Sequence, residues 1–409
     1  MATHDAPFVE LIFFDAGGGH RNAAIALKDV VADRFPGWRV DLVNLQELLE
    51  PVDPIHRITG YQSQNFYNGI LKRGWTYGSL AMLRGLQAGI QLYSDPIEAL
   101  IRKHWEASHP DLVVSLIPNF NGVLFRALRH AHSQVPYVTV MTDLADFPPH
   151  FWLEGQDQYV ICGSAKAVAQ ASATGYGPDR IFRTSGMIIK PHFYRNDVFD
   201  RRAAREALSI EPDLPTALIM FGGYGSKTAA KIVDRLERSE LDVQTIVLCG
   251  HNERLRQALE GKPRCYPIGF TDRVSDFMRM ADFFIGKPGP GSLSEALHEG
   301  LPVIVESNAR TMPQERYNAL WVKEQKLGFA VKSFRGIADT VALILKDDVL
   351  AQYRANARRL DNRAVFEIPV ILSHIMSSHS ETERSIPLPP AAGFFKSRSL
   401  TRPSARAAR

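Results

Sequence analysis

The stretch VELIFFDAGGGHR, residues 9–21, decides the fold class of this chain. It begins with Val9–Phe14, a short apolar run of the kind that forms a buried strand. After the glycines, apolar residues recur on one helical face from about Arg21 to Phe35, where Pro36-Gly37 ends the pattern. Val40–Leu45 predicts a second strand. The chain therefore opens as strand, glycine loop, helix and strand, which is the start of a parallel α/β sheet.

The alternation of strands and helices continues along the chain and starts afresh once. In the first half it predicts strands at Leu112–Leu116, Tyr137–Met141 and Tyr159–Cys162, and helices near Asn121–His132 and Ala165–Thr174. In the second half it predicts strands at Ala217–Phe221, Gln244–Cys249, Arg264–Ile268, Asp282–Ile285 and Pro302–Val305. Two series of similar size, joined near residue 195, predict two Rossmann-like domains. Ligands of open α/β sheets bind at the carboxyl ends of the strands, so we expect the site in the cleft between the domains.

The composition is typical of a globular protein without a membrane span. Of the 409 residues 45% are hydrophobic and 22% are charged, and the net charge is +4. No apolar run reaches the roughly 18–20 residues that cross a bilayer, and Met1–Pro7 lacks the features of a signal peptide. The three cysteines, Cys162, Cys249 and Cys265, have no paired spacing, which argues against a disulfide framework and a structural zinc site. We therefore expect a protein of the reducing cytosol.

The first motif that could carry chemistry is Gly17-Gly18-Gly19-His20-Arg21. Glycines allow close approach to the backbone, and the following helix N-terminus offers free N–H groups to an anion. The motif is not a Walker loop, and Asn22 stands at the third glycine position of a dinucleotide fingerprint. It fits a plain glycine turn with a capping-region histidine. It also fits His20 as a general base at the cleft.

A second glycine loop, FGGYGSK at residues 221–227, follows the first strand of the second half. It predicts either a phosphate cradle at a helix N-terminus or a tight turn between strand and helix. Two such loops, each after the first strand of its half, indicate phosphate binding more strongly than either loop alone.

The third motif is KPGPGSLSEAL at residues 287–297. Ser292 and Glu295 have the spacing of a capping box, in which Glu295 would close the start of a helix. In the other interpretation Glu295 accepts hydrogen bonds from ribose hydroxyls, as acidic residues do in nucleotide sites.

The fourth motif is MPQERYN at residues 312–318. The pair Gln314-Glu315 opens a helix directly after a loop, which is a normal helix start. Side-chain amides and carboxylates also suit the recognition of sugar hydroxyls. No two aspartates stand at Asp-x-Asp spacing, so a metal-bridged diphosphate is not expected. The charge of a leaving diphosphate would instead be met by N–H groups and helix dipoles.

Taken in this order, the four motifs resemble the monogalactosyldiacylglycerol synthase family and, more distantly, the glycosyltransferase that forms lipid II. The resemblance runs over roughly residues 9–345, and Thr142-Asp143 after a strand also matches the family. It implies an α/β fold of the GT-B class, with two Rossmann-like domains facing each other across a cleft. We assign residues 1–195 to an N-terminal domain on the acceptor and membrane side, and residues 196–378 to a C-terminal UDP-sugar-binding domain. Residues 379–409 are assigned to a basic, disordered tail.

The resemblance also implies roles for individual residues. His20 and Asp143 would face the acceptor, with His20 as the base or a diphosphate contact. The donor side would be formed by glycines, small polar residues, one aromatic residue and sugar-reading side chains. These are Gly18, Gly19, Gly222, Gly223, Ser226, Phe270, Gly289, Gly291, Ser292, Glu295, Gln314, Glu315 and Asn318. Of these, Phe270 would lie by the uracil and Glu295 would hold the ribose, while Gln314, Glu315 and Asn318 would read the sugar.

The implied reaction is an inverting transfer of a hexose from a UDP-sugar to a lipid, most simply diacylglycerol, without a metal or another cofactor. The family's usual Pro-Gly-Gln-Glu is Met312-Pro313-Gln314-Glu315 here, so the resemblance does not decide between galactose, glucose and an N-acetylated sugar.

The acceptor side is predicted from Phe66–Tyr93, where large apolar residues such as Trp75 alternate with basic ones. This segment fits a membrane interface or a core helix of the first domain. The last residues, 385–409, contain five basic residues and no acidic ones, which fits a solvated tail or one attracted to anionic lipid. We therefore expect a cytoplasmic enzyme bound peripherally to the inner face of an anionic membrane.

Two other functions remain open from the sequence. One is a UDP-N-acetylglucosamine 2-epimerase-like enzyme, which shares the two-domain fold and needs no lipid. The other is a non-catalytic lipid- or nucleotide-binding protein. A nucleic-acid partner is not expected, because no zinc module or RNP-type aromatic motif is present. The sequence does not decide the oligomeric state.

Overall fold

The computed structural model describes residues 6–15, 18–52, 79–195, 197–309 and 311–384. Its first half forms a parallel six-stranded sheet of order β2-β1-β3-β4-β5-β6. The strands are β1 Phe8–Phe13, β2 Arg39–Asn44, β3 Leu112–Ser115, β4 Tyr137–Val140, β5 Tyr159–Cys162 and β6 Ile181–Arg183. The helices are α1 Gly19–Arg34, α2 Leu45–Leu49, α3 Ser79–Leu92, α4 Ser94–Ser108, α5 Asn121–Ala131 and α6 Ala165–Thr174.

The second half forms another parallel six-stranded sheet, of order β12-β11-β10-β7-β8-β9. The strands are β7 Thr216–Met220, β8 Gln244–Gly250, β9 Cys265–Gly269, β10 Phe283–Gly286, β11 Val303–Glu306 and β12 Gly328–Val331. The helices are α7 Arg201–Glu206, α8 Lys227–Glu237, α9 Glu253–Leu259, α10 Val274–Met280, α11 Pro290–His298, α12 Arg316–Glu324, α13 Ile337–Ile344, α14 Asp347–Arg358 and α15 Ala364–Arg384. Short 3₁₀ helices lie at Glu50–Val52, Pro191–Tyr194, Pro313–Glu315 and Phe334–Gly336.

The central strands are buried because helices cover both faces of each sheet. β7 has the sequence TALIM and is buried at every position, as is β10 with FFIG. Continuous apolar runs of this kind are the mark of parallel strands covered on both sides. The strands predicted from the sequence are thus confirmed, and β6 and β12 are two short edge strands that the prediction missed.

The C-terminal helix α15 crosses back to the first half of the chain. Val365, Ile368, Leu372 and Ile375 share one face of it, and they pack into the buried cluster formed by β1, α1 and their neighbouring strands. The prediction that residues 196–378 form one domain therefore needs a correction, because this apolar face is covered by the N-terminal unit. The helix also continues to Arg384, into the range predicted as a tail, while residues 385–409 lie outside the described ranges.

The two connections between the halves are hydrogen-bonded to each other. The Asn362 side chain donates from Nδ2 to the carbonyl of Met187 at 2.8 Å. The Arg363 backbone N–H donates to the Ser185 hydroxyl at 2.7 Å. These bonds fix where the chain leaves the first unit and where it returns. Across the described ranges, no helix combines the length and apolar character required to traverse a bilayer.

Candidate active site

His20 lies in the first turn of α1, directly after the first glycine loop. The N-cap residue Gly18 has φ of 79°, a left-handed conformation that favours glycine, and it makes no side-chain cap. The His20 Nδ1 atom lies 3.1 Å from the Thr142 hydroxyl, and the imidazole ring packs 6.1 Å from the Trp152 ring. Desolvation lowers the pKa of His20 to about 4, although a hydrogen bond to the Leu116 backbone opposes this shift. His20 is therefore a neutral imidazole at pH 7 that faces Thr142 rather than capping its helix.

Asp143 lies directly after this threonine and is only 5% exposed. Its Oδ2 atom accepts a 3.0 Å hydrogen bond from the Trp152 indole N–H. Burial raises the pKa of Asp143 to about 7, the Trp152 hydrogen bond opposes this, and the charges of Glu315 and Lys287 raise and lower it respectively. Because Glu315 and Lys287 belong to the second half, their influence places the two halves face to face at this carboxylate.

The second glycine loop links β7 to α8. Gly222 and Gly225 have φ of 82° and 58°. The Gly223 carbonyl accepts a 2.8 Å hydrogen bond from the His251 backbone N–H. Ser226 is the N-cap of α8, and its hydroxyl accepts a bond from the Thr228 N–H at 3.1 Å. The loop is therefore a tight turn, and it also leads into the N-terminus of an eleven-residue helix, where an anion is favoured.

Phe270 follows β9 and is 64% exposed. Its ring stacks on the His251 imidazole, with centroids 4.0 Å apart and an angle of 15° between the planes. The Tyr224 ring lies 6.1 Å from the same imidazole. The second glycine loop thus has an exposed aromatic face beside it.

The third motif forms the start of α11. Gly289 is the N-cap and Pro290 the first helical residue, so Ser292 and Glu295 lie inside the helix. The capping-box interpretation is therefore wrong, because the helix begins at Pro290, two residues before Ser292. Burial raises the pKa of Glu295 to about 7, and the charge of Lys190 opposes the shift. Gly291 lies in the first turn of α11 and is exposed.

The fourth motif forms a polar 3₁₀ turn and the start of α12, in which Asn318 is buried. Gln314 and Glu315 lie in the 3₁₀ helix Pro313–Glu315, and Glu315 Oε1 accepts a bond from Lys287 Nζ at 2.9 Å. Asn318 is fully buried in α12, and its Nδ2 donates to the carbonyl of Pro288 at 2.8 Å. This burial favours Asn318 as a support for the loop before α11 over direct contact with a sugar.

The order of the second sheet brings the two glycine-rich loops together. The strand order reverses between β10 and β7, and ligands of doubly wound sheets bind in the crevice at such a reversal. The loop after β7 leads into α8 and the loop after β10 leads into α11. Two helix N-termini therefore border one crevice, on the side where Glu315 and Lys287 influence Asp143.

Sequence reasoning missed two contributors to this site. The Trp152 indole donates a hydrogen bond to Asp143. In the sequence it is only a tryptophan in the loop after β4, which does not mark it as a site residue. Lys287 follows β10 at its carboxyl end, where a basic residue beside a glycine loop is a usable signal. The described residues include no group of three or more histidine, cysteine or carboxylate side chains arranged to hold a metal.

The chain is similar to known proteins in one domain, in sequence and in fold. The model of the glycosyltransferase family 28 C-terminal domain matches residues 218–352. A probable monogalactosyldiacylglycerol synthase of Oryza sativa subsp. indica is 30% identical over 390 residues, covering 90% of this chain and 80% of the relative.

Two solved structures share the fold of the whole chain. MurG of Acinetobacter baumannii aligns with a TM-score of 0.58 at 11% identity, covering 92% of this chain and 99% of MurG. HepE of Anabaena, solved in complex with UDP-glucose, aligns with a TM-score of 0.54 at 16% identity, covering 91% and 99%. The predicted GT-B fold is confirmed.

Proposed function

The chain belongs to the monogalactosyldiacylglycerol synthase family of glycosyltransferases, and on that premise we propose that it transfers a hexose from a UDP-sugar to diacylglycerol. The name of the rice relative supplies the acceptor class. The UDP-glucose in the HepE structure supports the same donor class for this fold. The proposed product is a β-linked glycolipid formed with inversion at the anomeric carbon.

The observation that carries this proposal is the pair of helix N-termini at the strand-order reversal of the second sheet. A diphosphate bound between the loops after β7 and β10 would meet free N–H groups from both α8 and α11. Gly222, Gly223 and Ser226 would contact it from one side, and Gly289, Gly291 and Ser292 from the other.

The rest of the donor fits around this diphosphate. The exposed face of Phe270 would stack on uracil, since an aromatic ring already supports it from behind. Glu295 would accept hydrogen bonds from the ribose hydroxyls, and Gln314 and Glu315 would read the hexose. Gly18 and Gly19 would let the acceptor side approach the donor closely.

Asp143 is the proposed general base. In the transfer the acceptor oxygen attacks the anomeric carbon, whose bond to the diphosphate oxygen breaks with both electrons going to UDP. The proton of the acceptor hydroxyl passes to Asp143. A pKa of about 7 is well matched to this task near neutral pH, whereas the His20 pKa of about 4 makes a weaker base. His20 would instead orient the reacting groups together with Thr142. No metal ion or other cofactor is required by this scheme.

A lipid acceptor requires contact with a membrane, and we propose the face that contains the end of α3. Leu92 and Tyr93 are 81% and 42% exposed, and Arg84 is exposed on the same helix. Apolar side chains beside a basic one suit an anionic lipid surface. Ile90 packs against the core, so part of the helix is a core helix as well.

The remainder of the predicted segment, including Trp75, lies outside the described residues, and so does the basic end of the tail. We propose that the enzyme binds peripherally at the cytoplasmic face.

The test is UDP release from UDP-galactose, UDP-glucose and UDP-N-acetylglucosamine, each with and without vesicles that contain diacylglycerol and anionic lipid. We expect release from one donor that depends on diacylglycerol. Turnover of UDP-N-acetylglucosamine without lipid would favour an epimerase. Binding of UDP without release from any donor would favour a non-catalytic protein.

A further inference from the structure

Lys287 is a cation within the proposed donor site, in the loop between β10 and α11. It is the first residue after β10 and stands two residues before Gly289, the N-cap of α11. Its Nζ lies 2.9 Å from Glu315 Oε1, and the lysine side chain is 45% exposed while that of Glu315 is 9% exposed. The ammonium group is thus held by a buried carboxylate, while the lysine side chain remains nearly half exposed.

The loop geometry brings this ammonium group close to the N-terminus of α11. A Cβ placed on Gly289 would lie 3.3 Å from Lys287 Cε and 3.7 Å from Nζ. The glycine therefore leaves room for the lysine side chain to lie along the loop. Asn318 holds the loop between Lys287 and Gly289 in place, because its buried amide donates to the carbonyl of Pro288.

The leaving diphosphate needs a full positive charge beside the N-terminus of α11. A leaving UDP carries more negative charge than a helix N-terminus can neutralise, since the helix supplies only about half an elementary charge. Preorganised charge on a developing anion is a large contributor to catalysis in other enzymes. Lys287 is adjacent to the helix N-terminus that would receive the diphosphate.

We propose that Lys287 is a catalytic residue of the glycosyl transfer, whose ammonium group neutralises the leaving diphosphate. This inference rests on the proposed function. In the empty site Glu315 holds the ammonium group. As the bond from the anomeric carbon to the diphosphate oxygen breaks, the electron pair stays on the UDP oxygen, and Lys287 donates a hydrogen bond to the diphosphate while keeping its proton. Glu315 then has Oε1 free for a hydroxyl of the hexose.

A second consequence links Lys287 to the acceptor side. Its charge lowers the pKa of Asp143. Removal of the lysine should therefore move the acidic limb of the pH profile of kcat/KM to higher pH. K287R keeps the positive charge and should therefore leave the acidic limb in place.

The experiment compares K287M, K287R and E315Q with wild type. Lys262 provides the matched control, because it forms ion pairs with Asp234 and Glu237 and lies just before the edge strand β9, away from β10. K262M removes a paired lysine without touching the proposed site. Binding of UDP and of uridine is measured by titration calorimetry, and kcat by UDP release. Thermal melting of each variant controls for folding.

We expect K287M to weaken UDP binding about 10- to 100-fold while uridine binding stays within about twofold, and to lower kcat about 10²- to 10³-fold. K287R should recover part of both losses. Equal losses for UDP and uridine, or an unchanged preference for UDP, would overturn the inference. If wild type itself neither bound UDP nor transferred a sugar, the proposed function would fail instead.

Discussion

The indole N–H of Trp152 donates a 3.0 Å hydrogen bond to Asp143, and this bond stabilises the charged form of the carboxylate. W152F should therefore raise the pKa of Asp143 further and move the acidic limb of kcat/KM to higher pH. At pH 8.5 and above, the variant should recover most of its activity. Profiles of kcat/KM from pH 5.5 to 9 check this. An unshifted acidic limb would show that Asp143 is not the group that titrates.

Burial of Asp143 should also appear in the stability of the protein. Its folded pKa of about 7 lies above the ordinary value of 3.8, so stability from this group is full below about pH 4 and is lost as the pH rises to 7. D143N cannot become charged, so it should gain stability over wild type as the pH rises from 4 to 8. At pH 8 the gain should reach about 2–4 kcal/mol. Urea unfolding at pH 5 and pH 8 measures it, and an equal difference at the two pH values would contradict the prediction.

His20 should act through its contact with Thr142 and without titrating in the working range. A pKa of about 4 keeps it neutral above pH 5, so H20A should lower kcat about 10²-fold without moving the acidic limb. T142V removes the hydroxyl that lies 3.1 Å from the imidazole and should cost about 10-fold, whereas T142S keeps that hydroxyl and should cost little. Steady-state kinetics of the three variants provide the comparison. A larger loss in T142S than in T142V would mean that packing of the methyl group, rather than the hydroxyl, is what matters.

Glu295 should recognise ribose through its hydroxyls. Hydrogen bonds to a charged group are worth about 1.5–3 kcal/mol, so E295A should weaken UDP binding about 10- to 100-fold. Wild type should prefer UDP to 2′-deoxy-UDP or 3′-deoxy-UDP, and E295A should lose that preference. Titration calorimetry with the three nucleotides gives the result. If E295A kept the preference, the ribose contact would have to be assigned to another residue.

The parts of this fold that were predicted from sequence are those with a strong local signal. The buried strands β1, β7 and β10 are largely apolar runs followed by glycine loops, with Glu10 of β1 the one charged residue among them, and their pattern is visible without tertiary context. β6 and β12 lie at the edges of their sheets and are mostly only partly buried, so neither needs the continuous apolar run that marks a central strand. The docking of α15 on the first unit depends on a surface far away in the chain, which its own apolar pattern cannot identify.

The candidate site divides in the same way. The glycine loops follow from motifs at the carboxyl ends of strands, and the placement of His20 and Asp143 on one side of the site was implied by the family resemblance. The burial of Asn318 against Pro288 and the ion pair of Lys287 with Glu315 arise only when α12 packs beside the loop before α11. Likewise the raised pKa of Asp143 comes mainly from its burial, which residue types alone do not show.

The most direct test of the central claim is to follow a radiolabelled hexose from its UDP-sugar into lipid. Purified full-length protein is incubated with each labelled donor and with diacylglycerol vesicles, and the lipid fraction is extracted and resolved. We expect label from one donor to enter a monohexosyl-diacylglycerol, from which a β-glycosidase releases the labelled hexose. D143N should form at least about 10²-fold less of this lipid. Release of UDP with all of the label remaining in water-soluble products would contradict the claim.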